Sequence, residues 1–384
     1  MSNAVIVDIV RTASGKGKPG GALSGLHPVT LLSSVLEALV ARNDLDPALV
    51  DDVIAGCVSQ AGQQSVNIAR NALLGAGFPE SVPATTIDRQ CGSSQQAVAF
   101  AAQGVMAGAY DIVIACGVEQ MSRNPIGFAT LGEDPFGPEV AGRYPGGLVG
   151  QGISAELIAA RWGFTREVLD EFSARSHRLA AASDFSRDIV EVAGLTVDET
   201  IRPATTVEGL AGLPAAFQDE RFSERFPEIE WRITAGNSSP LTDGASAALI
   251  MSEERAEQLG LTPRARILHS VAVGSDPIEM LTGVIPATQK ILDRAGLGID
   301  AFDAYEVNEA FAPVPLAWQH DLRADPDRLN ARGGAIAIGH PLGASGTRLL
   351  ATLLGTLEQT GGRYGLQTMC EGGGMANATV IERL

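Results

Sequence analysis

Two cysteines and a histidine stand in glycine-rich turns at distant points of the chain. Cys91 lies in Asp88-Arg89-Gln90-Cys91-Gly92-Ser93-Ser94, between a strand-like and a helix-like run. A thiol at a helix start meets unpaired N–H groups and the positive end of the helix dipole, which favour thiolate. Gly92 lets a second molecule approach the backbone closely. Cys91 also reads as a small buried hydrophobe at a tight turn. His340, one of five histidines, sits in Gly339-His340-Pro341-Leu342-Gly343-Ala344-Ser345-Gly346. An imidazole is the usual base for a thiol nucleophile, and a structural histidine bonded to a backbone carbonyl fits the same turn. Cys370 runs into Glu371-Gly372-Gly373-Gly374, where successive glycines free N–H groups for an oxyanion or simply make a β-turn beside a core cysteine. Asn308 follows a strand in Asn308-Glu309-Ala310-Phe311-Ala312, able to anchor a water or an oxyanion, or to cap a helix.

These turns need strands and helices to present them. Val53–Val58 and Ala84–Ile87 read as short strands, and Ser93–Gly108 as a buried Ala-rich helix followed by a strand over Asp111–Cys116. Pro28 opens a helix with Val29, Leu32, Leu36, Leu39 and Val40 on one face. Met121–Gly152 has no period and reads as loop. Thr165 caps an amphipathic helix reaching about Ser183, and the chain is irregular again to about Thr242. Alternation then resumes through Ala245–Met251, Arg266–Val273, Pro286–Gly296 and Asp303–Val307. Cys91 follows Cys57 by 34 positions, and His340 follows Asn308 by 32. Each then precedes a helix and a strand, ending at Cys116 or Cys370. A duplicated α/β unit therefore places Cys91 and His340 at equivalent turns, which a pseudo-twofold axis would bring face to face.

Composition narrows the class. The chain has 384 residues, 45% hydrophobic and 19% charged, as in an ordinary α/β protein of two or three domains rather than a disordered or fibrous chain. A net charge of −17 argues against non-specific nucleic-acid or acidic-membrane binding. An anionic substrate would then need a locally basic site. The longest apolar stretch, Ala97–Val118, is interrupted by Gln103 and Asp111 and lacks the run of about 20 residues that spans a bilayer. No targeting segment is expected, because strand-like Ala4–Val7 begins at once and the last residues are no peroxisomal address. Cys57, Cys91, Cys116 and Cys370 form no C-x-x-C pair, so a reduced, cytoplasmic setting is expected, with no disulfide scaffold and no metal site. Gly15-Lys16-Gly17-Lys18-Pro19-Gly20 fits G-x-G-x-x-G, but Pro19 and the following glycines deny it a helix. It reads as a surface loop. Asn237-Ser238-Ser239 matches a glycosylation sequon without a secretory signal to support it.

Taken together and in order, Asp88–Ser94, Thr234–Ser239, Asn308–Ala312, Gly339–Gly346 and Cys370–Gly374 resemble the thiolase family. The resemblance extends to Arg11-Thr12 and Gly152-Ile153-Ser154-Ala155-Glu156, and so covers nearly the whole chain. The wording around Cys91 and the Glu371-containing turn resembles degradative, actinobacterial-type acyl-CoA thiolases more than biosynthetic ones. Ser94 stands where many members have Gly, and Glu371 where many are apolar. Gly150 and Gln151 replace a histidine common in biosynthetic members. These departures bear on acyl-chain preference.

The resemblance implies a five-layered α-β-α-β-α sandwich of two pseudo-repeated halves with an inserted loop domain. The first half would take residues 1–119 plus 242–268, the CoA-binding insert 120–241 and the second half 269–384. It implies thiolytic cleavage of 3-ketoacyl-CoA, reversible and possible with acetoacetyl-CoA, through a Cys91 acyl-enzyme. His340 would activate Cys91 and, with a water on Asn308, hold the thioester oxygen. Cys370 would be the second acid/base, and the N–H groups of Cys91 and Gly372 the second oxyanion hole. Ser239, Arg202 and Phe311 would contact CoA or substrate. Coenzyme A would be a co-substrate, with no tightly bound cofactor, and the assembly a homodimer or a tetramer of paired dimers. A catalytically silent acyl-CoA or lipid carrier on the same fold is the alternative. A ketoacyl synthase, resembling one Cys with two His, fits less well because Cys370 holds the second position.

Overall fold

The computed structural model describes residues 2–384. β1 (Ala4–Thr12) is buried along all nine residues, as expected for a strand covered on both faces. The first half continues with the two-residue β2 (Gly15–Lys16), β3 (Asp52–Gly56), β4 (Ala84–Ile87) and β5 (Ile112–Gln120). After the short β6 (Ile189–Val190), the chain returns as β7 (Thr242–Ser252). The second half holds β8 (Ala265–Gly274), β9 (Ala304–Val307), β10 (Tyr364–Glu371) and β11 (Met375–Arg383).

Pairing exposes the duplication. β3 runs parallel to β5, β5 antiparallel to β7, and β7 antiparallel to β1. In the same order and sense, β9 runs parallel to β10, β10 antiparallel to β11, and β11 antiparallel to β8. β4 extends the first half at its edge. The halves join where β1 meets β8, antiparallel, at Val5–Arg266 and Ile6–Ala265. This short ladder makes the two sheets one continuous hydrogen-bonded path.

The helices Ser93–Met106 and Ser345–Thr360 occupy equivalent places, before β5 and before β10. They lie together between the halves. Ala97, Val98, Ala101 and Val105 share a core with Leu350, Leu353, Leu354 and Leu357, closed by Ile6, Ile54, Val113, Ile250 and Ile381 from the strands. Thr347 N donates to Ser94 Oγ at 3.1 Å across this contact. On the outer faces, the helices Pro28–Arg42 and Ile68–Gly75 cover the first half, and Val284–Ala295 and Pro313–Leu322 the second. Five layers result.

Between β5 and β7 the chain is mostly irregular, with the helices Gln151–Arg161 and Arg166–Ala182 as its longest regular parts. Thr165 Oγ1 accepts from Val168 N, the cap expected from the sequence. The aperiodic stretch after Met121 also holds a short helix, Gly137–Arg143, with Pro138 in its first turn where a missing N–H costs nothing. Ile153, Ile158, Leu169 and Phe172 of this region join the outer core of the second half. Its other anchor is an ion pair: Asp198 accepts from Arg11 Nη1 at 2.6 Å and Nη2 at 2.9 Å, and from Ser14 N at 2.8 Å.

Candidate active site

The turn that presents Cys91 is tightly cross-bonded. Gly92 N donates to Arg89 O and Ser93 N to Gln90 O. Ser93 Oγ accepts from Arg89 N at 2.9 Å and donates to Gln90 O at 2.6 Å. Gln90 has φ 48°, a left-handed conformation costing a non-glycine residue about 1 kcal/mol. It is held by its N–H donating to Asp88 Oδ1. These bonds leave the Cys91 N–H outside the turn's own network. Cys91 is 2% exposed. Burial pushes its thiol up to about 12, opposed by the Gln151 amide 4.0 Å from Sγ and reinforced by nearby Glu371. The helix end therefore does not by itself produce a thiolate, because desolvation outweighs it. A base must take the proton.

His340 is held as a neutral imidazole. Ser345 Oγ donates to Pro341 O at 2.8 Å, so at 2.6 Å it accepts from His340 Nδ1–H. The lone pair then lies on Nε2, where Asn308 Nδ2 donates at 3.3 Å. Thr242 Oγ1 fixes the backbone by accepting from His340 N. Burial, with Arg348 nearby, pushes the imidazole down to about 3, so it stands neutral at pH 7. Asn308 Oδ1 is buried and has no hydrogen-bond partner among the described residues.

Cys370 is the next-to-last residue of β10, and Asn308 leaves β9 beside that strand, its N–H donating to Thr368 O at 3.1 Å. Burial pushes the Cys370 thiol up, and the charges of Cys91 and Glu371 push it further, which places the two sulfurs in each other's field. A Cβ on Gly372 would lie 2.8 Å from Gln90 Oε1, so the glycine turn abuts the Cys91 turn. Gly373 (φ 81°) and Gly374 (φ 77°) take the reversal into β11, a strand the sequence reading left unassigned.

A cavity of ≈ 740 Å³ reaches this centre, with Gln151, His340, Leu342 and Phe311 on its wall and Ser239 and Arg202 further along. Phe311 packs edge-on against Phe217, with centroids 5.8 Å apart. Ser239 N donates to Ala310 O. Asn237 of the sequon is fully buried, its amide donating to Asp170 at 3.0 Å and its Oδ1 accepting from Thr234 N, so no glycan fits there. An adjoining pocket of ≈ 330 Å³ shares Arg202, Pro240 and Leu241 and adds Lys16 and Lys18. No helix follows the Gly15–Gly20 string before Pro28, as its Pro19 implied. The loop instead puts two of the chain's three lysines at the cavity mouth. Sequence reasoning missed Lys16, Lys18, Gln151 and Ser345. The scarcity of lysine was a usable signal for the first two. Among the described residues, no group of three His, Cys, Asp or Glu is placed to hold a metal ion, and no helix is long and apolar enough to cross a membrane.

A duplicated α/β sandwich that brings two thiols, an imidazole and an amide into neighbouring turns, with the imidazole on a cavity wall, is the architecture of a class of acyl-transferring enzymes. The chain belongs to the thiolase family: residues 4–254 match the model of the thiolase N-terminal domain and residues 261–383 that of the thiolase C-terminal domain. It is 48% identical over 397 residues to a steroid 3-ketoacyl-CoA thiolase of Mycobacterium tuberculosis, covering 100% of this chain and 95% of that one. A 3-ketoacyl-CoA thiolase of Photobacterium profundum is 42% identical over 402 residues, covering 100% of both. The crystal structure of the Bacillus anthracis acetyl-CoA acetyltransferase superposes with TM-score 0.88 at 36% identity, over 100% of this chain and 99% of that one.

Proposed function

We propose that the protein cleaves 3-ketoacyl-CoA with free CoA, giving acetyl-CoA and a shortened acyl-CoA, through an acyl group carried on Cys91. The observation that carries this reading is the hydrogen-bond chain from Pro341 O through Ser345 to His340, which leaves a neutral Nε2 lone pair facing Asn308 on the cavity that Gln151 links to Cys91. His340 Nε2 takes the Cys91 proton as Sγ attacks the 3-keto carbon. The keto oxygen's charge goes to the N–H groups of Cys91 and Gly372. The C2–C3 bond then breaks, and its electron pair moves to C2 as the acetyl-CoA enolate. The thioester oxygen of that enolate is held by the newly formed Nε2–H and a water on Asn308 Oδ1. Cys370 gives its proton to C2, and acetyl-CoA leaves. The Cys370 thiolate next deprotonates CoA, whose sulfur attacks the acyl-Cys91 thioester, and His340 returns its proton to Cys91.

CoA lies along the 120–241 insert, with Ser239 and Phe311 beside its pantetheine arm and Arg202, Lys16 and Lys18 toward its phosphates. The insert and the flanking halves 1–119 plus 242–268 and 269–384 are the working units of this reading. A silent carrier is not favoured, since His340 is held neutral with its lone pair on Nε2, and the relatives carry enzymes' names. Four free, buried cysteines suit a reducing, cytoplasmic setting. The open edge of β4 and exposed Ile126, Leu131 and Phe136 suit a homodimer or tetramer. The test is thiolysis of acetoacetyl-CoA and longer ketoacyl-CoAs, with the acyl-enzyme trapped for mass spectrometry. Cys91→Ala is expected to lose about 1,000-fold or more in kcat and to form no adduct. A loss below about tenfold would remove Cys91 from the mechanism.

A further inference from the structure

Glu371 lies between Cys370 and Gly372 and is fully buried, and neither carboxyl oxygen has a hydrogen-bond partner among the described residues. Its position is close: a Cβ on Gly92, the residue after Cys91, would lie 2.1 Å from Oε1. Asn377 Nδ2 reaches the same spot but donates to Gly92 O at 3.0 Å, and Asn377 Oδ1 is likewise buried and unpaired. Glu119, the other buried acid near Cys91, is different. It accepts from Val58 N, Ser59 N, Gln64 Nε2 and Gly343 N. A carboxylate with no donors in a dry site is far costlier than the neutral acid. The charged and titratable groups facing Glu371 are Arg89, Asp88 and Cys91 on the opposing turn and Cys370 on its own strand.

We propose that Glu371 is a positioning residue held as the uncharged acid behind the Cys91 turn, and that its ionisation turns the site off. The neutral carboxyl fills the space behind Gly92 and fixes the approach of the two turns. The ionised carboxylate sets a negative charge beside Cys91 and Cys370 and opposes thiolate at both. Burial, with Asp88 adding and Arg89 opposing, pushes this acid up to about 8, so the change falls at mildly alkaline pH.

The inference rests on Cys91 and Cys370 being the reacting thiols, and the experiment separates the two. Thiolysis and iodoacetamide alkylation of Cys91, located by mass spectrometry, are followed from pH 6.5 to 9.5 in the wild type and Glu371→Gln. The glutamine keeps the shape without the charge. The two proteins should match below pH 8, and above it the variant should pull ahead by about tenfold, the effect of one like charge at contact range. A ratio that stays flat or falls with pH overturns the proposal. Failure of the mechanism itself would show separately, as turnover surviving in Cys91→Ala. Should Glu371→Gln not fold, Arg89→Gln serves: without the guanidinium, the alkaline break of thiolysis should move to higher pH, and an unmoved break overturns the proposal.

Discussion

Gln151 Nε2 lies 4.0 Å from the Cys91 sulfur and stands at the first position of the helix Gln151–Arg161 on the cavity wall. As the thiol gives up its proton to His340, this amide becomes a donor to a sulfur anion. Hydrogen bonds to charged groups are worth about 1.5–3 kcal/mol, so Gln151→Leu should cut kcat/KM for thiolysis by roughly tenfold to a hundredfold. The same variant should slow alkylation of Cys91 while leaving Cys57 and Cys116 unchanged. Wild-type alkylation kinetics would remove Gln151 from this role. Cys91, His340, Asn308 and Cys370 stood out in the sequence as candidates because Cys91 and His340 sit in glycine-containing turns before helices, and Asn308 and Cys370 at or beside strand ends. Gln151 did not, since an amide on a helix start gains meaning only when the fold sets it against a sulfur 60 positions earlier. Nor did the sequence disclose that Cys91 would be dry enough for burial to outweigh the helix end.

The helices Ser93–Met106 and Ser345–Thr360 carry the turns of Cys91 and His340, so their closeness bears on the distance between thiol and imidazole. Gly346 allows that closeness: a Cβ there would lie 2.0 Å from Gln95 N, a backbone atom that no rotamer change can move aside. Gly346→Ala should cost about 1–3 kcal/mol or more, as core overpacking does, and lower activity with stability. Gly298→Ala, where nothing lies within 4 Å, is the matched control and should change neither. Equal urea midpoints for the two variants would show that the helices have slack. The repeat behind this arrangement was legible because each half keeps the same strand–turn–helix–strand spacing. The β1–β8 join was not, because Val5–Arg266 and Ile6–Ala265 pair across half the chain without a local pattern to announce them. β11 went unread for a related reason: Met375–Arg383 follows three glycines whose turn character dominates the local signal.

Across the whole molecule, a net charge of −17 should repel an anionic substrate, yet the cavity opens beside Lys16, Lys18 and Arg202. With only three lysines in the chain, two at one mouth form a local reversal of the general field. Lys16 is partly engaged, 3.6 Å from the half-buried Glu199, but its own side chain is exposed and such a pair holds weakly. Phosphates of CoA arriving through a negative surround would be guided by this patch. Replacing Lys16 and Lys18 by glutamate should therefore raise KM for CoA by about tenfold, taking roughly 0.5–1 kcal/mol per exposed charge, with kcat little changed. Screening provides the second reading, because the Debye length falls from about 10 Å at 0.1 M salt to about 3 Å at 1 M. The wild-type KM for CoA should climb with salt, and that of the double variant should stay flat or fall. If both proteins show the same KM and the same salt response, the phosphates do not pass this loop, and the Gly15–Gly20 segment is only the surface turn its composition first suggested.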